Sequence, residues 1–223
     1  MTAQELFIRL LNLTPESWSG ERGLRILGHR NYVGGSWVWE EVGRLQLKFL
    51  VERGLKYSDC LLDIGCGSLR AGRHLINYLD PGKYLGLEKH GDLLAAGIAH
   101  ELAPGLVEVK RPEFVISSSF EFHRLSQKPD ISIAQSVFTH FSSADISSCL
   151  KRLRAYVGSN HVCYATFFEG DSDANPLRSH DIWCFRYSPK QMKQFGEAAG
   201  WNPEYIGNWG HPRNQMMIRY NAA

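Results

Sequence analysis

Two carboxylates bracket a glycine-rich turn in this chain. The turn is Asp63-Ile64-Gly65-Cys66-Gly67, and Glu88 follows 21 residues after Gly67. Gly65 and Gly67 let the backbone turn tightly and approach a ligand closely. A G-x-G turn between a strand and a helix is where nucleotide ligands bind. The dinucleotide version places a third Gly three residues after the second, and Arg70 stands there instead. The Asp63 carboxylate is a poor neighbour for a pyrophosphate and a good one for an ammonium or a sulfonium. A carboxylate at Glu88 can accept hydrogen bonds from both hydroxyls of a ribose. The implied ligand carries a ribose and positive charge but no phosphate.

Other residues offer proton chemistry or polar contacts. His140, in Thr139-His140-Phe141-Ser142, is the first choice for a general base near neutral pH, with the shaping of a turn as its alternative. A second cluster comprises Glu169, Asp171, Asp173, Arg178, His180 and Asp181, with His180 a second candidate, after His140, for a catalytic role. It reads as a site for a polar acceptor or as a solvated loop, and less readily as a divalent-metal site through Asp171 and Asp173. His211 is read as a third pocket wall or a turn residue. The remaining histidines and the five cysteines show no zinc-ligand spacing, so no metal is expected.

These residues need elements to hold them on one edge. Short apolar runs at 60–64, 84–88, 114–117, 131–136 and 161–168 read as strands. Amphipathic stretches alternate with them, including one opened by Ser188-Pro189 and closed at Gly200. Strands alternating with helices give a parallel, doubly wound α/β sheet. The last two strands, 205–209 and 215–220, are too close for a crossover and must form an antiparallel hairpin. Residues 1–56 read as a helical and aromatic appendage, with Leu6, Leu10 and Leu13 at helical spacing, and residues 57–223 as one compact domain. Within the appendage, Tyr32, Trp37 and Trp39 are candidates for a lid hinged at Gly34 and Gly35, or for packing the appendage onto the sheet. Arg30 and Tyr32 are candidates for meeting a ligand carboxylate.

A ribose-bearing, phosphate-free cation of this kind is S-adenosylmethionine (AdoMet). With these residues on the page, the chain resembles the class I AdoMet-dependent methyltransferases of the small-molecule type. Asp63-Ile64-Gly65-Cys66-Gly67 is similar to their first motif, Glu88 to their second, and Gln135-Ser136-Val137-Phe138-Thr139-His140 to their fourth-strand motif. The resemblance spans roughly residues 57–220 as a pattern of elements. It implies a Rossmann-like sheet of order 3-2-1-4-5-7-6 ending in the antiparallel hairpin. It also implies that Gly65, Cys66 and Gly67 line the methionine and ribose, that Asp63 holds the amino group, and that Glu88 holds the ribose. Lys89 would flank the adenine, Ser119 and Phe120 would contact it, and Gln135 would lie beside the cofactor. Many members carry an Asp near position 118 or 119. Here Ser117-Ser118-Ser119 leaves the adenine amino group to a Ser hydroxyl or to the backbone.

The expected activity is methyl transfer to an oxygen, with nitrogen next, of a small molecule such as a sugar or natural product. Trp37, Glu169, Arg178 and His211 are the candidate acceptor contacts. Protein or RNA methylation, or a non-catalytic AdoMet-binding regulatory role, are the alternatives. Lys and Arg total 25 against 23 Asp and Glu, a net charge of +2. That balance speaks against a nucleic-acid partner. No run approaches the ~20 apolar residues of a membrane helix. The N-terminus, with Glu5 ahead of its short apolar run, does not read as a signal peptide, so the cytoplasm is expected. No feature of the sequence sets an oligomeric state.

Overall fold

Leu61–Ile64 (β1) is buried along its whole length and forms the middle of the sheet. It pairs in parallel with β2 (Tyr84–Glu88) on one side and with β4 (Ile131–Ala134) on the other. Strands β3 (Glu113–Ile116) and β5 (Val162–Glu169) extend the parallel sheet outward. Strand β8 (Gln215–Ala222) runs antiparallel to β5 and pairs with β7 (Trp201–Asn208). The two-residue β6 (Arg186–Tyr187) adds to the end of β5. The structure is a computed structural model and describes residues 20–222. The helix expected through Leu6, Leu10 and Leu13 lies outside the described residues.

The sheet order is β3-β2-β1-β4-β5-β8-β7. With the short β6 left uncounted, this is the expected 3-2-1-4-5-7-6. Continuous burial of β1, β2 and β4 follows from helices on both faces, the usual state of a parallel sheet. On one face Leu62, Ile64 and Leu85 pack with Ile146, Cys149 and Leu150 of α7 (Ser143–Tyr156) and Met192 of α8 (Pro189–Ala198). On the other, Leu61, Tyr84 and Ile133 pack with Phe49 and Leu50 of α3 (Trp39–Glu52) and Leu75 and Ile76 of α4 (Gly72–Tyr78). Ser188 caps α8 through a full capping box with Gln191.

Three details depart from the sequence reading. Strand β7 begins at Trp201 rather than at residue 205, because Pro203 is tolerated on an edge strand. A short helix, α6 (Leu106–Lys110), follows α5 (Gly91–Glu101). Upstream of α3, helices α1 (Gly20–Leu27) and α2 (His29–Tyr32) lead into a loop that reaches the carboxyl edge of β1.

Candidate cofactor site

A cavity of 320 Å³ opens at the carboxyl ends of β1, β2 and β4. Its floor is the turn after β1. Gly65 and Gly67 have φ of 70° and 57°, a region that favours glycine. A side chain at Gly65 would place its Cβ 2.5 Å from Val137. Asp63 is buried at this turn, and the Tyr84 hydroxyl donates to its Oδ2 at 2.8 Å. Tyr84 fits because Gly72 has no Cβ, which would stand 2.8 Å from the hydroxyl oxygen. Burial pushes the Asp63 carboxyl up to about 6, Tyr84 pulls it down, and Glu88 adds to the rise. A buried acid in this state gains most from a cation beside it.

Glu88, at the end of β2, is buried and held by backbone amides. Its Oε2 accepts from Gly67 at 2.9 Å, and its Oε1 accepts from Lys89 and His90, each at 2.9 Å. The carboxylate is therefore fixed in orientation on the cavity wall, with a lone-pair site on Oε2 left for a ligand hydroxyl.

The far wall is a polar network at the end of β4. Arg70 is 9% exposed and donates from Nη2 to Gln135 Oε1 at 2.5 Å and from Nη1 to the Val33 carbonyl at 3.1 Å. Gln135 donates in turn to Ser136 Oγ at 2.7 Å. Ser136 has φ of 59°, a costly conformation for a non-glycine residue. It is held there by Thr166, whose Oγ1 accepts from the Ser136 amide at 2.7 Å, and by Gln215, which donates to Ser136 Oγ at 2.8 Å.

His140 lines the cavity just beyond this network. Its Nδ1 lies 3.0 Å from the Trp183 carbonyl oxygen. A carbonyl only accepts, so Nδ1 carries the proton and Nε2 holds the lone pair. Burial pushes the imidazole down to about 4, the Trp183 carbonyl opposes this, and the Arg213 charge reinforces it. His140 is thus neutral, and only weakly basic, at physiological pH.

Two segments cover the cavity. The loop between β5 and β6 contributes Ser179, His180, Asp181 and Ile182. It is tied down by His180 N–H to the His140 carbonyl at 3.0 Å and by Phe185 N–H to Thr139 at 2.8 Å. Asp181 pairs with Lys89 and with His90, the latter at 3.1 Å. Burial works against the Asp181 charge, but His90 and Lys89 outweigh it and hold its carboxyl well below the ordinary range. The other cover is Tyr32, Val33 and Gly34, whose Tyr32 hydroxyl reaches Asp181 at 3.4 Å.

The cavity wall therefore brings together Tyr32, Asp63, Gly65, Cys66, Gly67, Glu88, Lys89, Phe120, Gln135, His140 and His180. It does not include Ser119, Trp37, Glu169, Arg178 or His211. Ser117 and Ser118 line it instead of Ser119, whose N–H donates to Ser117 Oγ at 3.2 Å. Trp37 is 72% exposed. Glu169 turns outward to accept from Tyr205, and Arg178 is exposed. His211 is buried beneath the wall, stacked on Trp209 at 5.4 Å, and accepts from the Arg213 amide at 3.2 Å. Arg30 bonds to Glu101 rather than reaching the cavity. Sequence reasoning passed over Arg70 and Arg213, both on the wall. Arg70 registered only as a missing glycine, and Arg213 only as part of a hairpin turn.

No family model matches the chain. Among solved structures it is similar to magnesium protoporphyrin IX methyltransferase (ChlM) from Synechocystis PCC 6803 with bound SAM, at a TM-score of 0.62 and 15% identity, covering 100% of this chain and 98% of that one. It is similar to the DhpI–SAH complex at a TM-score of 0.64 and 15% identity, covering 88% and 93%. It also matches human N-acetylserotonin methyltransferase (ASMT) in complex with SAM, at a TM-score of 0.62 and 14% identity, covering 100% and 60%. These TM-scores, with near-complete mutual coverage of the first two, place the architecture: this chain has the class I AdoMet-dependent methyltransferase fold.

Proposed function

We propose that this protein is an AdoMet-dependent methyltransferase that methylates an oxygen of a small molecule. The observation that carries the reading is the pairing of a buried, cation-seeking Asp63 with an amide-fixed Glu88 across the Gly65–Gly67 turn. The donor set fits AdoMet. Asp63 would hold its ammonium, Arg70 its carboxylate and Glu88 a ribose hydroxyl, with Phe120 and Lys89 beside the adenine. The two glycines would let the backbone lie against it. When bound, AdoMet supplies a methyl group on a sulfonium, ready for in-line displacement.

The chain's own part is alignment, exclusion of water and removal of a proton. The two covering segments leave a cavity suited to a small acceptor rather than a polymer. His140 Nε2 would take the hydroxyl proton as the acceptor oxygen takes the methyl. Calorimetric titration tests the cofactor assignment directly. AdoMet and S-adenosylhomocysteine (AdoHcy) should both bind. Asp63→Ala and Glu88→Ala should each weaken AdoMet binding more than tenfold, about 1.4 kcal/mol. Absence of binding by either ligand refutes the assignment.

A further inference from the structure

Two guanidinium groups converge on the cavity wall. The nearest nitrogens of Arg213 and Arg70 lie 2.9 and 3.7 Å from the point where a Gly34 Cβ would stand. Like charges this close repel unless an anion sits with them. Their surroundings differ. Arg70 is engaged with Val33 and Gln135 and stands near Asp63, in the half of the site built on β1 and β2. Arg213 comes from the turn before β8, on the opposite side of the sheet. Its guanidinium lies over the Phe168 ring of β5, 5.7 Å from the centroid. Among the described residues it makes no ion pair with a carboxylate, while Lys89 on the same wall has Asp181.

We infer that Arg213 is the receptor for a carboxylate on the methyl acceptor, so that the substrate class is a small hydroxylated organic acid. The inference rests on the methyltransferase reading above. Position favours the acceptor over the cofactor, because Arg213 is carried by the turn before β8 and packs over Phe168 of β5, so that its guanidinium reaches the point by Gly34 from the β5–β8 side while Arg70 reaches it from the Asp63 side. Charge ranks a monoanion above a dianion. The wall carries the carboxylates of Asp63, Glu88, Asp145 and Asp181 against Arg70, Lys89 and Arg213. AdoMet, with one net positive charge, balances that set. A carboxylate disturbs the balance by one charge and a phosphate dianion by two. A guanidinium also presents a planar fork matched to a carboxylate. Bound there, the acid would offset the Arg213 charge that helps to hold down the basicity of His140. The receptor would thereby make its neighbour a better base only when the acceptor is in place.

The test uses the full chain saturated with AdoHcy and titrated calorimetrically with a set of small acids. The set includes acetate, benzoate and 4-hydroxybenzoate, with 4-hydroxybenzamide as the neutral match and phenyl phosphate as the dianion. At least one acid should bind tenfold or more tightly than its amide. Arg213→Gln should abolish that preference, Arg213→Lys should keep part of it, and both should bind AdoHcy within twofold of wild type. Acid and amide binding equally, no acid binding, or acid preference surviving in Arg213→Gln overturns the inference and leaves the cofactor reading standing. A matching loss of AdoHcy affinity in Arg213→Gln reassigns the residue to the cofactor carboxylate. Preference for phenyl phosphate overturns the choice of a carboxylate. Failure of wild type to bind AdoHcy overturns both readings together.

Discussion

Asp63 is the group whose charge the cavity controls most directly. Burial raises its pKa to about 6 in the cofactor-free protein. An ammonium beside it favours the ionised form and lowers that value on binding. The sign follows from linkage. Binding releases the proton, so AdoMet affinity is full above pH 6 and falls as pH drops below it, by about tenfold per unit at most. Calorimetry between pH 5 and pH 8 should show this slope in wild type and none in Asp63→Asn, whose affinity is low throughout. A flat wild-type profile would mean that Asp63 does not hold the ammonium. For His140 the expectation is different. His140→Ala should lower turnover by ~100-fold, the lower end for a general base because the imidazole is weakly basic, with AdoMet affinity unchanged. Wild-type turnover in that variant would leave His140 only its bonds within the covering loop.

The pin that docks the N-terminal segment is Glu101, at the end of α5. Its side chain is fully buried and accepts from Arg30 Nε at 2.6 Å, Trp39 Nε1 at 3.2 Å and Arg73 Nη1 at 3.2 Å, with His29 Nε2 at 2.7 Å. Burial opposes its charge, but Arg30 and His29 outweigh it and hold the carboxyl below its ordinary value. Glu101→Ala strands two guanidiniums, an imidazole and an indole N–H around one hole. Because Arg30 is partly exposed, the expected loss is about 2 kcal/mol rather than the full cost of breaking a buried pair. Hydrogen exchange should quicken across residues 29–39 and little elsewhere. Unchanged exchange there would show that the segment is held by other contacts. Trp39 belongs to this dock and Trp37 does not, although the two are equivalent as letters two positions apart. That contrast marks what was legible. Strand, turn and helix periods placed Asp63, the glycines and Glu88, because those residues lie where a strand ends, which is a local property. Arg70, Arg213 and Glu101 work through partners far along the chain, such as Gln135 for Arg70, 65 residues away. Tyr84 read as one more apolar strand residue, because nothing local shows that its hydroxyl meets Asp63. The β7 start was misread for a related reason: whether Pro203 breaks a strand depends on which strand is the edge, and that is set by the whole sheet.

At the scale of the molecule, the sheet presents its carboxyl edge and two separate stretches of chain close over it. One precedes the sheet and carries Tyr32; the other leaves β5 and carries Asp181. They meet at the Asp181 carboxylate, which joins Lys89 and His90 beyond β2 to the Tyr32 hydroxyl. These segments cover the cavity, so their junction should govern the residence time of a ligand there. Asp181→Asn keeps the shape and removes the charge that three neighbours share. Its expected effect is on departure, since loosening a cover adds little to the rate of entry. AdoHcy dissociation, followed by stopped flow, should speed about tenfold, which corresponds to ~1.4 kcal/mol of lost closure. In wild type, high salt should produce part of the same acceleration, because the Lys89 side of the junction is solvent-accessible and screened. In Asp181→Asn the salt effect should vanish. Hydrogen exchange should show both segments protected together when AdoHcy binds wild type, and protected independently in the variant. Equal dissociation rates in the two proteins would mean that the covers close separately and that the Asp181 junction does not join them.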